Sequence, residues 1–172
     1  LLYLTYLVAA LIPDVPRAVL VNIGDQGGAK STALRVARSL IDPSSSELLS
    51  PPTDMGELAQ AANHHYCLYL DNLSSLRDEV SDVLCRLATG IGFTKRKLYT
   101  DDEDFLFNQK VAVGITGINL VAQRPDLLDR CLILQFERIP DDLRIDEDEF
   151  WQAFSKDKPY ILGALFDTLS KT

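Results

Sequence analysis

An apolar run rich in β-branched residues, Ala18-Val19-Leu20-Val21-Asn22-Ile23, leads straight into Gly24-Asp25-Gln26-Gly27-Gly28-Ala29-Lys30-Ser31-Thr32. Apolar residues at helical spacing follow at once: Leu34, Val36, Ala37, Leu40 and Ile41. The run reads as a buried strand and the spacing as a helix over Ser31–Ile41, with a glycine-rich turn between them. A strand with so few polar positions needs cover on both faces, which points to a parallel sheet between helices.

The rest of the chain repeats this grammar. Leu1–Ile12 predicts an amphipathic or buried first helix, stopped by Pro13. Residues 43–52 form a loop dense in Ser and Pro. Thr53 or Asp54 is placed to cap a helix running through Ala62, with Glu57 in its first turn. Tyr66–Leu70 predicts a second strand ending at Asp71, and Leu76–Ala88 a helix. Thr89–Asp104 runs from glycine-bearing to basic to acidic and predicts a hairpin or an extended loop. Val111–Thr116 predicts a third strand, closed by Gly117-Ile118-Asn119. Arg124–Arg130 predicts a short helix or turn, and Cys131–Phe136 a fourth strand. Beyond Asp141 the chain is acidic, then helical around Phe150–Phe154 and Tyr160–Leu169. The organisation expected is a first helix over 1–16, a core over 17–140 and a helical segment over 141–172, with no internal repeat.

A net charge of −8 over 172 residues argues against a general nucleic-acid coat, because phosphate affinity needs clustered cations. Cys67, Cys85 and Cys131 are odd in number, far apart and set in apolar surroundings. They lack metal spacing and read as small core residues in a reducing cytoplasm. No apolar run reaches membrane-spanning length. The chain starts at Leu1 rather than Met, which reads as a piece of a longer protein or a product missing its first residues.

The glycine-rich turn carries the chemistry. A phosphate-binding loop asks for Gly, four residues, Gly, then Lys and Ser or Thr. Gly24 opens the pattern here, and Lys30 and Ser31 close it, with Ala29 standing where the second glycine belongs. Gly24, Gly27, Gly28, Ala29 and Thr32 would turn backbone N–H groups toward phosphate oxygens. The helix after them points its positive end at the same anion. Lys30 would neutralise the outer phosphates of ATP or a close relative, and Ser31 would offer its oxygen to Mg²⁺. Ala29 is strained if its backbone needs positive φ, unless Gly27 and Gly28 take up the turn. The plainer alternative is a glycine-rich turn before a capped helix.

Four further pieces fall around it. Asp71, at a strand tip, suits the Mg²⁺ shell, or is a turn residue. Asn72 stands where hydrolysing relatives carry Glu; an amide orients a water but takes no proton as a base. Asp101, Asp102 or a partner subunit are the candidates for the missing carboxylate. Asn119 is placed to reach a terminal phosphate or the attacking water, or simply turns the chain. Arg130, with Arg124 in reserve, could serve a neighbour's nucleotide, against a surface ion pair to Asp126 or Asp129. Thr94-Lys95-Arg96-Lys97 is a basic cluster flanked by Phe93 and Tyr99. It suits a strand-tracking loop, or a solvated turn balanced by Asp101-Asp102-Glu103-Asp104.

From Arg17 to Phe136, these segments together resemble an AAA+-type ATPase. The segments are the phosphate loop, Asp71-Asn72, the Gly-x-Gly-Phe and Lys-Arg-Lys stretch, and Thr116-Gly-Ile-Asn119 followed by Arg-Pro-Asp-Leu-Leu-Asp-Arg. Within that class the chain is similar to ATP-binding proteins of phages and bacteria related to superfamily 3 helicases and primase-helicases. The resemblance implies an α/β P-loop NTPase core of the AAA+/ASCE kind, a mostly parallel sheet flanked by helices. It implies a Walker A loop with Lys30 and Ser31, a Walker B Asp71 and a sensor Asn119. Lys95, Arg96 and Lys97 would lie in a channel loop facing DNA, and Arg130 would act across a subunit boundary. ATP and Mg²⁺ are the implied cofactors, and a homo-oligomer, such as a hexameric ring, is the implied assembly. Three functions follow from this reading: a DNA helicase or translocase, a nucleotide-gated assembly or DNA-binding module with little hydrolysis, and a small-molecule kinase, for which the chain offers no clear acceptor motif or lid. No membrane partner is expected.

Overall fold

The computed structural model describes residues 1–52, 55–90, 93–96, 104–107 and 110–171, with 93–96 and 104–107 described as backbone. Its centre is β1 (Val19–Gly24), flanked by β5 (Ala112–Gly117) and β6 (Cys131–Phe136), with β2 (Cys67–Leu73) outside β5. All three pairings are parallel. Alternation along the strands deals the apolar side chains to two faces. Val19, Val21, Leu68, Leu70, Val113 and Ile115 line one core, and Leu20, Cys67, Tyr69 and Ala112 the other.

The first core is covered by α3 (Met55–His64), α4 (Asp78–Thr89) and α5 (Pro125–Leu128). The second is covered by α1 (Leu2–Leu11), α2 (Lys30–Ile41) and α6 (Glu147–Leu169). The α/β layering read from the sequence is the layering found. α1 is locked down by Tyr6, whose hydroxyl donates to the Val113 carbonyl and shares a hydrogen bond with the Tyr69 hydroxyl, each at 3.2 Å. α2 is locked to β2 by Arg38, 2 % exposed, which donates to the Cys67 carbonyl and pairs with Asp42 at 3.0 Å. That lock fixes the last turn of α2 against the start of β2.

Burial pushes the Cys67 thiol up to about 12 and the Cys131 thiol up to about 11, so neither is a thiolate nucleophile near neutrality. This fits their reading as core residues. No helix among the described residues is long and apolar enough to cross a membrane.

Three elements differ from expectation. β2 runs on past Asp71 to Leu73, because an irregularity between Leu70 and Leu73 lets Leu73 re-enter the first core. The two terminal helical stretches are one helix, α6, which carries Pro159 inside it. The carbonyl that Pro159 leaves without a helical donor belongs to Ser155, and both residues are exposed, so that carbonyl is open to solvent. Leu49, in the expected loop, makes a parallel bridge to Leu70 along the outer edge of β2. The helix cap at Thr53 or Asp54 lies outside the described residues.

Candidate nucleotide site and its place in the sheet

The glycine loop leaves β1 at the carboxyl end of the sheet, where open α/β sheets hold their ligands. Gly24 has φ +134°, and a Cβ there would lie 1.9 Å from the Phe136 carbonyl oxygen at the end of β6. Gly27 has φ +81°. Ala29, the residue before α2, has φ 62° and ψ 26°, the left-handed conformation that glycine adopts freely. The turn therefore demands a left-handed residue at position 29, and Gly27 and Gly28 do not remove that demand.

The side chains that close the motif converge at this end. Lys30 Nζ donates to the carbonyls of Gly24 at 2.8 Å and Asp25 at 2.6 Å, folding the ammonium over the start of the loop. Ser31 Oγ donates to Asp71 Oδ1 at 2.7 Å. Asp71 is held by its main chain as well, because its N–H donates to the Leu49 carbonyl at 3.0 Å. Thr32 follows in α2, half-buried. A cationic head, a hydroxyl and a carboxylate thus surround a turn rich in main-chain N–H groups. Such an arrangement suits a phosphorylated, cation-bound ligand.

Asn72 is exposed, with φ 56°, and its main-chain N–H donates to Thr116 Oγ1 at 2.8 Å. Asn119 is exposed in the bend after β5, and that bend touches the loop through Gly24 N–H donating to the Ile118 carbonyl at 3.3 Å. Arg130 is not brought into this group. It precedes β6, whose register pairs Cys131 with Val19 and Phe136 with Gly24, so it stands at the opposite end of the sheet from the loop. It is exposed, donates to the Asp126 carbonyl, and makes no ion pair among the described residues. Arg124 is engaged elsewhere, pairing with Asp82 at 2.9 Å rather than with Asp126 or Asp129.

The basic cluster falls on a two-stranded hairpin, β3 (Phe93–Arg96) with β4 (Asp104–Phe107), inserted between α4 and β5. In its antiparallel register Lys95 lies opposite Phe105 and Arg96 opposite Asp104. Lys97, Asp101 and Asp102 lie outside the described residues.

A model of one protein family, described as "Actinomycete integrative conjugative element replication protein", matches residues 1–172. The chain belongs to that family. Membership ties the chain to replication by family alone. A comparison with the curated proteins finds no match. Among solved structures, a crystal structure of JCV helicase bound to a thiazolopyridinyl-phenoxyphenyl acetamide is similar at TM-score 0.48 and 10 % identity. The match covers 80 % of this chain and 46 % of that one, so the chain spans less than half the helicase chain's length.

Three residues near the loop escape a reading of the sequence. Asn22 is fully buried in β1, and its amide donates to the Lys30 carbonyl at 3.2 Å, supporting the first turn of α2 from below. Thr116, its register partner on β5, donates to Asp71 Oδ1 at 2.5 Å. The only signal for either is a polar residue inside an apolar strand. Arg144 lies against the loop, with Nη2 2.6 Å from where a Cβ on Gly27 would stand. It arrives there because Ile139 N–H donates to the Gly27 carbonyl at 3.2 Å, pinning the segment after β6 to the turn.

Proposed function

We propose that this chain is the ATP-binding core of a replication motor, a helicase or translocase that assembles as a ring on DNA. The observation that carries the reading is the 2.7 Å contact between Ser31 Oγ and Asp71 Oδ1 beside a left-handed glycine turn. The donor set fits magnesium, which takes hard oxygen ligands, few of them from protein, and keeps several waters. Among the described residues no group of three or more His, Cys, Asp or Glu could hold a metal alone, so the cation would arrive with the phosphates. Bound there, it would offset the charge on the outer phosphate oxygens.

The chain's own residues then have defined tasks. Main-chain N–H groups of the loop and the amino end of α2 enclose phosphate oxygens. Lys30 exchanges two loop carbonyls for the anion. Ser31 keeps its proton on Asp71 and turns a lone pair to the cation. Arg130, at the far end of β6 from its own loop, can serve only a neighbouring copy's site. Lys95 and Arg96, with Lys97 next to them in sequence, offer one basic cluster per subunit, which a ring would gather into its channel despite the net charge of −8. The replication family supports DNA as the track.

Steady-state hydrolysis measured with and without single-stranded DNA tests the proposal. DNA-stimulated turnover is expected, and Arg130→Ala should cut it about a thousandfold while the monomer still binds ATP. Equal turnover by monomer and oligomer would rule out the arginine's role. A second reading, a nucleotide-gated assembly module, is favoured by Asn72, an exposed left-handed amide where a general base would stand. ATP-dependent assembly with no turnover would select it.

A further inference from the structure

We infer that Thr116 is a positioning residue for the cation shell of the proposed nucleotide site, acting through Asp71. The assignment rests on the nucleotide reading above and on four observations. The hydroxyl of Thr116 donates to Asp71 Oδ1 at 2.5 Å, and Thr116 is 1 % exposed. Its oxygen accepts the Asn72 N–H at 2.8 Å. Asn72 is left-handed, φ 56°, at the point where the β2–β5 register shifts. Ser31 donates to the same Oδ1 at 2.7 Å.

Together these fix a direction. A threonine hydroxyl has one proton and two lone pairs. With one lone pair engaged by Asn72 N–H, the proton is left for Asp71. The left-handed turn at Asn72 aims that N–H at a side chain instead of along the ladder, and asparagine tolerates the conformation better than most residues. The carboxylate is thus gripped from β5 on one side and from α2 on the other. Its Oδ2 accepts no hydrogen bond among the described residues and is left for a water of the cation's shell. Thr116 never touches nucleotide in this arrangement; it sets the angle at which Asp71 presents itself. Asn72 gains a role that needs no proton transfer, because its backbone N–H completes the grip.

The test is the magnesium dependence of nucleotide affinity. ATP is titrated calorimetrically into the wild-type chain and into Thr116→Val, Thr116→Ala and Thr116→Ser, each with magnesium and with EDTA. The ratio of the two dissociation constants isolates the cation's share from general packing. Groups beyond the direct ligands of a metal site commonly carry about ten- to a hundredfold in metal affinity. Thr116→Val and Thr116→Ala should therefore lose at least about tenfold of the magnesium gain, with affinity in EDTA unchanged, while Thr116→Ser keeps the gain. If valine leaves the protein unfolded, alanine and serine still decide the matter. A full magnesium gain in the alanine variant, or an equal loss with and without magnesium, overturns the assignment alone. A wild-type protein that binds ATP in neither condition overturns the nucleotide reading and the assignment with it.

Discussion

Replacing Lys30 with alanine is expected to abolish stabilisation by nucleotide while leaving the unliganded protein folded. At a ligand concentration a hundred times Kd, binding to the native state alone adds about 2.7 kcal/mol to unfolding. The wild-type chain should show that increment with magnesium-ATP in urea or thermal unfolding, and Lys30→Ala should show none. In the unliganded protein, among the described residues, the ammonium bonds only the carbonyls of Gly24 and Asp25, at 2.8 and 2.6 Å. Asp25 is exposed, so water can replace the lost donor. The cost to the empty protein should stay near about 1 kcal/mol, the ordinary net worth of such bonds. Retention of the nucleotide increment would separate Lys30 from the site.

The second large effect lies in the backbone of the same loop, where two substitutions should move stability in opposite directions. Gly24→Ala puts a Cβ 1.9 Å from the Phe136 carbonyl oxygen, on a residue whose φ of +134° is closed to side chains. The Cβ is fixed in place by the Gly24 main chain and the oxygen belongs to the Phe136 main chain at the β1–β6 closure, so neither yields cheaply. Strain and overpacking together predict a loss of about 3 kcal/mol or more in urea unfolding. Ala29→Gly works the other way. Ala29 already sits at φ 62°, and relieving a non-glycine residue from that region should gain about 1 kcal/mol. A destabilised Ala29→Gly variant would mean that the methyl group makes a contact outweighing its strain.

These substitutions show where the sequence was readable. The strand, glycine turn and helix from Val19 to Ile41 are contiguous, and their apolar periods and glycine spacing state the local geometry outright. Lys30 and Ser31 are legible for the same reason. Asp71 is legible as a strand tip, but its setting is not. The irregularity at Asn72 depends on pairing with β5, more than forty positions away in the chain, and shifts the strand end to Leu73. Asn22 and Thr116 read as two unconnected polar residues until the register places them opposite each other beneath α2. Arg144 reaches Gly27 only through the turn at Asp141–Leu143 that follows β6. Pro159 reads as a break because a helix loses a donor there; only the exposure of Ser155 and Pro159 shows that the freed carbonyl stays open to solvent. Contacts within one element were visible in one dimension, and contacts made by register were not.

Titration calorimetry of the folded wild-type chain with magnesium-ATP measures the central claim most directly. Saturable heat at one site per chain, competed by a nucleotide analogue and absent in Lys30→Ala, is the predicted result. No heat and no competition with either ATP or GTP, on protein shown to be folded, would contradict the account.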